Sequence, residues 1–439
     1  MAKHPISKLV EEHRQRAPIG LVSICSAHPY VIEAAINRAV IHDSYCLIES
    51  TSNQVNQYGG YTGMKPPDFA SFVESIAENG GLPKERIILG GDHLGPNPWK
   101  NEAADLALTK GQQMVSDYVK AGYTKIHLDA SMSLGGDLEK GLVPLPPEIV
   151  AERTAMLCKA AEDAYHASEH GDAGSTLPVY VIGSEVPAPG GTQEDEGIQI
   201  TTAEDLRQTV ELTKMAFQRF GVEAACDRIV AVVVQPGVEF GNQGIHDYDR
   251  EAARELTEAL RDLPGLVFEG HSTDYQLRSN LKRLVEDGVA ILKVGPALTF
   301  AMREALFALD AIESELFCGR DEERSRLRDV LDEVMVAHPE HWENYYHGTE
   351  NEMRLARKYS LSDRSRYYWT NPEVERTVER LIENLEREGI ALNLLSQYMP
   401  AQHRRVREGF LVCQPLELVK DKIGMVLDEY YYAMGEDRW

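Results

Sequence analysis

The chain has 439 residues, 43% of them hydrophobic, enough for one large domain with an extension or for two or three ordinary domains. Its formal charge of −25 argues against nucleic acid and anionic membranes, which call for a basic face, whereas small anionic ligands can still be held by a few local cations. No run approaches the ~18 uncharged apolar residues of a membrane span, no apolar signal core follows Met1-Ala2-Lys3-His4-Pro5, and the six cysteines are scattered without CxxC spacing. A reduced, cytoplasmic protein is therefore expected.

From Ile19 onward, β-rich apolar runs recur, each followed by a longer segment of helical period. They are Ile19–Ser26, Tyr45–Ser50, Arg86–Gly91, Lys125–Ala130, Val179–Ser184, Arg228–Gln235, Gly265–Gly270 and Ala290–Val294. Helix starts are recognisable between them, such as the capping box Thr201-Thr202-Ala203-Glu204 and the first-turn prolines of Pro146-Pro147-Glu148. Alternating strands and helices imply a parallel sheet, and near-continuous apolar strands such as Ile229-Val230-Ala231-Val232-Val233-Val234 imply burial on both faces. Eight such units suffice to close a (β/α)8 TIM barrel, with an open doubly wound sheet as the alternative. There is no GxGxxG after any strand and no GxxxxGK[ST], so neither a dinucleotide site nor a P-loop kinase is supported. Leu298, Met302, Ala305, Leu309 and Ile312 share one stripe of a closing helix. The charged segment Gly319-Arg320-Asp321-Glu322-Glu323-Arg324 then divides a barrel (residues 1–318) from a C-terminal helical extension (319–439), with helices expected over Leu327–Ala337, Pro372–Glu388 and Leu416–Met434.

In such a barrel the active site lies at the carboxyl ends of the strands, which makes the polar residues there candidates by position. They are His28; Glu49, Asn53 and Gln54; Asp92 and His93; Asp129; Glu185; Gln235; Glu269, His271 and Asp274; and Lys293. Acids and histidines converging at one mouth need a cation to compensate them. His93, His271 and Glu185 form a two-histidine, one-carboxylate set that suits Zn²⁺ with a position left for substrate, although each histidine alone could equally be structural. Asp92 is positioned as a general base or as a helix-capping aspartate, and Lys293 as a charge-neutralising cation or a salt-bridge partner. Phosphate sites commonly use the loops after strands seven and eight, where Ser272, Thr273 and Gly295 offer donors. Gln57-Tyr58-Gly59-Gly60-Tyr61-Thr62-Gly63-Met64 has the composition of a lid or of an inert loop. Arg364 and Arg366, between aromatics in the extension, could reach a phosphate or form surface salt bridges.

Several long motifs give the chain a resemblance to the tagatose-bisphosphate aldolase Z-subunit family (GatZ/KbaZ-like), formerly labelled tagatose-6-phosphate kinase. They are Cys25-Ser26-Ala27-His28-Pro29, Glu49-Ser50-Thr51-Ser52-Asn53-Gln54-Val55-Asn56-Gln57, Gly90-Gly91-Asp92-His93-Leu94-Gly95-Pro96-Asn97, His127-Leu128-Asp129-Ala130-Ser131, His271-Ser272-Thr273-Asp274-Tyr275, Lys293-Val294-Gly295-Pro296-Ala297-Leu298-Thr299 and Tyr359-Ser360-Leu361-Ser362-Asp363-Arg364. The likeness covers nearly the whole chain and implies a barrel similar to class II aldolases, whose third-strand Asp-His pair serves as base and metal ligand and matches Asp92 and His93. The function it implies first is a metal-dependent tagatose-6-phosphate 4-epimerase working by retro-aldol chemistry, with a non-catalytic subunit supporting a separate class II D-tagatose-1,6-bisphosphate aldolase as the alternative. The partners expected are a ketohexose phosphate, an aldolase subunit in a hetero-complex and further copies of the chain in a homo-oligomer.

Overall fold

The structure is a computed structural model that describes residues 3–15, 18–142, 144–168, 176–183 and 198–435. The eight apolar runs become eight strands: β1 (Leu21–Cys25), β2 (Cys46–Thr51), β3 (Ile87–Leu94), β4 (Lys125–Leu128), β5 (Val179–Ile182), β6 (Ile229–Val234), β7 (Val267–Gly270) and β8 (Val289–Val294). Every neighbouring pair is parallel, and β8 returns to β1 with Leu21 opposite Ile291, so the sheet closes as a (β/α)8 barrel. The open doubly wound alternative is thereby excluded. A small antiparallel hairpin, Glu239–Phe240 with Ile245–His246, follows β6.

A helix α1 (Pro5–Gln15) precedes the barrel, and α2 (Pro29–Ile41), α3 (Pro66–Gly80), α4 (Ala104–Lys120), α5 (Pro147–Ala167), α6 (Ala203–Arg219), α7 (Arg254–Ala259), α8 (Arg278–Glu286) and α9 (Pro296–Leu316) surround it. The cap of α6 is shifted by one residue from the sequence expectation. Thr202, rather than Thr201, has the extended backbone of an N-cap and accepts from the Asp205 amide. The expected stripe of α9 is buried throughout.

Two apolar regions hold the barrel. One fills its lower interior, where Ile6, Leu9 and Val10 of α1 plug the amino end of the strands against Leu21, Leu47, Val179, Val233 and Ile291. The other lies between strands and helices and continues without a break into the C-terminal segment. That segment contains α10 (Leu327–Ala337), α11 (Glu350–Tyr359), α12 (Pro372–Glu388), α13 (Leu392–Tyr398), α14 (Pro400–Arg407) and α15 (Pro415–Met434). Here α15 packs on α2, α8 and α9, with Arg38 bonded to Asp428 at 2.6 Å and the Tyr430 hydroxyl donating to Thr273 O at 3.0 Å. Among the described residues no helix is long and apolar enough to cross a membrane.

Candidate metal centre and ligand mouth

Side chains alternate along a strand, so every second residue enters the barrel. In the upper half those residues are polar. Ser23 and Lys293 pair across β1 and β8, and Glu49, Gly90 and Lys125 follow in register across β2, β3 and β4. Gly90 is required there, because a Cβ would stand 2.7 Å from Glu49 Cγ. Lys125 lies 2.7 and 2.9 Å from the two Glu49 oxygens and 2.7 Å from Glu269, and Ser23 donates to Glu49 at 2.6 Å. Lys293 touches Asp92 and lies 3.5 Å from Glu49 and 3.3 Å from Glu269. Burial opposes its charge, but Asp92, Glu269 and Glu49 together raise its pKa well above the ordinary lysine value.

Above this layer Asp92, His93, His127 and His271 offer one donor atom each, all within 4.8 Å of one another, and all four residues are buried. His93 is aimed by a local irregularity: the β3–β4 register shifts between Gly91 and Leu94, and His93 takes a left-handed φ of 49°. Its Nδ1 donates to Asp129 at 2.9 Å, while His271 Nε2 bonds Glu269 at 3.0 Å, so each ring keeps its other nitrogen for a ligand. Burial pushes His271 down to about 3, with Lys293 adding to it. On His93 burial also acts downward, but Asp92 and Asp129 outweigh it and raise the pKa. Burial favours the neutral Asp92 carboxyl, yet His93, Lys293 and the His127 hydrogen bond hold it well below the usual carboxylate range, so it is ionised at neutral pH.

This donor set fits a divalent cation on three counts. His127 Nε2 is buried with no hydrogen-bond partner. The four buried carboxylates of Glu49, Asp92, Asp129 and Glu269 outnumber the two ammonium groups of Lys125 and Lys293, and the rings of His93, His127 and His271 are among their remaining partners, so the site carries an excess of acid over ammonium that a cation would offset. The carboxylates behind His93 and His271 orient the rings in the way that metal-ligating histidines require.

The cluster opens into a mouth of about 670 Å³, part of it open to solvent, lined by Cys25, Thr51, Asn53, Gln54, Tyr61, Phe240, Ser272, Asp274, Gly295, Arg366 and Tyr367 besides Asp92, His93, His271 and Lys293. Burial pushes Asp274 up to about 6 even though it accepts from the amides of Gly295 and Ala297 at 3.0 and 2.8 Å. The Gln57–Met64 segment contributes Tyr61, held by a bond from its amide to Asn53 O at 3.0 Å.

Other positions expected from the sequence lie elsewhere. Gln235 turns its amide oxygen back onto the Gly237 and Val238 amides and braces a loop outside the mouth. Thr273 donates to Lys293 O and meets Tyr430 behind the mouth. Glu49 lies beneath the floor and Asp129 behind His93, so both support other groups from below. His28 is the N-cap of α2, accepting from the Tyr30 amide, and burial lowers it to about 3. Arg364 stacks on Tyr345 and donates to His341 O, while Arg366, two residues later, is the arginine that faces the mouth. Glu185 falls outside the described residues. His127 and Lys125 went unassigned because they sit inside an apolar run rather than after it. Their signal was the strand alternation itself, which puts Lys125, His127 and Asp129 on one face.

Fold and site together define a (β/α)8 barrel with a buried donor cluster for a divalent metal at its carboxyl mouth. Residues 6–435 match the family described as D-tagatose-1,6-bisphosphate aldolase subunit GatZ/KbaZ-like. The D-tagatose-1,6-bisphosphate aldolase subunit GatZ of Salmonella heidelberg (strain SL476) is 48% identical over 433 residues, 98% of this chain and 100% of that one, and its counterpart in Salmonella typhimurium (strain LT2) matches equally. A crystal structure of a "probable tagatose 6 phosphate kinase" from Sinorhizobium meliloti 1021 aligns with a TM-score of 0.85 at 46% identity, covering 94% of this chain and 100% of that chain. The chain belongs to the GatZ/KbaZ-like family.

Proposed function

We propose that the chain is the Z-type subunit of a class II D-tagatose-1,6-bisphosphate aldolase, acting beside a separate aldolase subunit in the cytoplasm, and that its own barrel mouth holds a divalent ion and a ketohexose phosphate. The relatives' description as aldolase subunits supports the first half, and supports it better than it supports an independent epimerase. The six unpaired cysteines agree with a reducing compartment. The observation that carries the second half is the buried convergence of Asp92, His93, His127 and His271 over a layer with excess negative charge.

His93, His127 and His271 would hold the ion, and the nitrogen-rich donor set favours zinc. Bound there, it would act as a Lewis acid on a ketose carbonyl. Asp92, ionised and facing the mouth, is assigned as acceptor for a substrate hydroxyl proton. Lys293 holds that carboxylate in place, Asn53, Gln54, Ser272 and the Gly295 backbone orient the polyol, and Tyr61 excludes water from one side. We take residues 1–318 as the barrel and 319–439 as the extension, which reaches the mouth through Arg366 and Tyr367.

A second reading is favoured by the same site. A full donor set with an ionised carboxylate and a buried ammonium group is more than a scaffolding subunit needs, and it suits 4-epimerisation of tagatose 6-phosphate to fructose 6-phosphate by retro-aldol cleavage and re-addition. Incubating the purified chain with tagatose 6-phosphate and each of several divalent metals separates the two. Fructose 6-phosphate formed by the chain alone establishes the epimerase. No product alone, with a stable complex and a longer-lived aldolase on adding the partner subunit, establishes the subunit. No complex and no product would reject both.

A further inference from the structure

The mouth is lined from the C-terminal segment as well. Arg366 and Tyr367 belong to the short 3-10 turn Arg364–Tyr367, which is carried over the barrel by a buried clamp. Asp363, at a left-handed φ of 43°, bonds Arg303 of α9 at 3.0 Å, Thr299 at 2.6 Å and Ser365 at 2.9 Å. Arg303 is almost fully buried beside Phe300, with its guanidinium 4.1 Å from the ring centre.

On the turn so fixed, neither Arg364 nor Arg366 forms an ion pair among the described residues. Two acids whose charge acts on Arg366 are already engaged: Asp363 by its clamp, Asp274 by the amides of Gly295 and Ala297. Arg366 Nη1 donates to the backbone carbonyls of Ser362 and Asp363, and Nη2 to the Tyr367 hydroxyl at 3.0 Å. A guanidinium has about five N–H donors, so these three bonds leave two free among the described residues, and Arg366 lines the mouth. Tyr61 packs edge-on against Tyr367, ring centres 4.9 Å apart, and lines the same wall. Arg366 is half-buried, and a cation partly withdrawn from water without a counter-ion is costly, although in a chain of net charge −25 an acidic partner would have been easy to supply.

We propose that Arg366, with the hydroxyls of Tyr367 and Tyr61, is an anion site in the mouth that the donor cluster also lines, and that it takes the phosphate of a phosphate monoester. Its free N–H donors match the bidentate geometry of a phosphate, which a lysine cannot reproduce. That the ester is a ketose phosphate rests on the function proposed above; the anion site itself does not.

The test is calorimetric titration of the full-length protein with inorganic phosphate, tagatose 6-phosphate and unphosphorylated tagatose. Wild type is expected to bind phosphate, and Arg366→Met to weaken that binding about 10- to 100-fold, the range for losing a charge-assisted contact, while leaving the affinity for tagatose unchanged. Should Arg366→Met fail to fold, Arg366→Lys decides, because it keeps the charge without the fork and must still bind phosphate more weakly. Phosphate binding must also survive in His93→Ala, whose side chain belongs to the donor cluster and not to the anion site. Wild type that binds no phosphate, Arg366 variants with undiminished affinity, or binding abolished by His93→Ala would overturn the site. Arg366-dependent binding of inorganic phosphate with no gain for tagatose 6-phosphate would leave the anion site standing and reject the ketose-phosphate reading.

Discussion

Lys125 offers the sharpest test of the charge balance beneath the metal donors. Its side chain is fully buried, and its ammonium group is shared by Glu49 and Glu269, which are equally buried. Lys125→Met keeps the bulk and removes the charge, so Lys293 would be left as the single ammonium group against the four carboxylates, an excess of three instead of two. Breaking a buried pair by deleting one partner costs about 3–5 kcal/mol, a large share of the roughly 5–15 kcal/mol that stabilises a typical domain. Adding Glu269→Gln restores the original excess and should recover at least about half of that loss, a coupling of about 1.5 kcal/mol or more. The same reasoning predicts that Lys125→Met binds a divalent ion more tightly than wild type, by roughly tenfold for each 1.4 kcal/mol of added attraction. Guanidinium unfolding of the metal-free proteins measures the first two effects, and competition with a chromogenic chelator measures the third. A loss below about 1 kcal/mol, a double variant no better than the single, or weaker metal binding by Lys125→Met would refute the charge accounting.

His93→Ala, His127→Ala and His271→Ala should each lower divalent-metal content without unfolding the barrel, whereas Asp92→Asn should keep the metal and lose catalytic turnover; full metal retention by all three histidine variants in elemental analysis would remove the centre. Burial raises Glu239 from 4.5 to about 7, so the folded state holds its proton more tightly than the unfolded state does. That contribution is complete below about pH 4.5 and is lost as pH rises through about 7, so Glu239→Gln should gain about 2–3 kcal/mol on wild type across that window; parallel unfolding curves from pH 4.5 to 7.5 would contradict it. Gly95→Ala would put a Cβ 1.7 Å from Asp129 O, which must move the residue that orients His93. We expect about 1–3 kcal/mol of destabilisation together with weaker metal binding, and a variant that loses stability but keeps full metal affinity would show the two to be uncoupled.

The barrel was legible because each strand lies in a predominantly apolar run, burial on both faces being written directly into composition. The extension was legible as helices with apolar stripes, and Leu327–Ala337 and Pro372–Glu388 form over the expected residues. The mouth was read by looking just beyond each run, which found Asp92, His93 and His271 but passed over Lys125 and His127, because charged groups inside an apolar strand are tolerated only when partners from other strands meet them. Those partners are set by barrel register, which no local pattern encodes. The same gap explains Gln235 and Thr273: both follow strands, yet local turns direct one to neighbouring amides and the other behind the mouth. Between Arg364 and Arg366 the choice depends on a single left-handed residue, Asp363, and on its partners in α9.

The Asp363 clamp also links ligand capture to the seating of the extension. Asp363 and Arg366 share one rigid turn, so any anion that draws Arg366 toward the mouth adds to the free energy pressing that turn onto α9, about 2.7 kcal/mol when the ligand is at a hundred times its Kd. The coupling is reciprocal: loosening the Thr299 or Arg303 contacts from below must weaken the anion from above by the same factor, although neither residue lines the mouth. Occupancy of the pocket should therefore be readable at a distance, as slower proteolysis of the connections between α11 and α12, and a change on the outer face of α9 should be felt as a change in affinity.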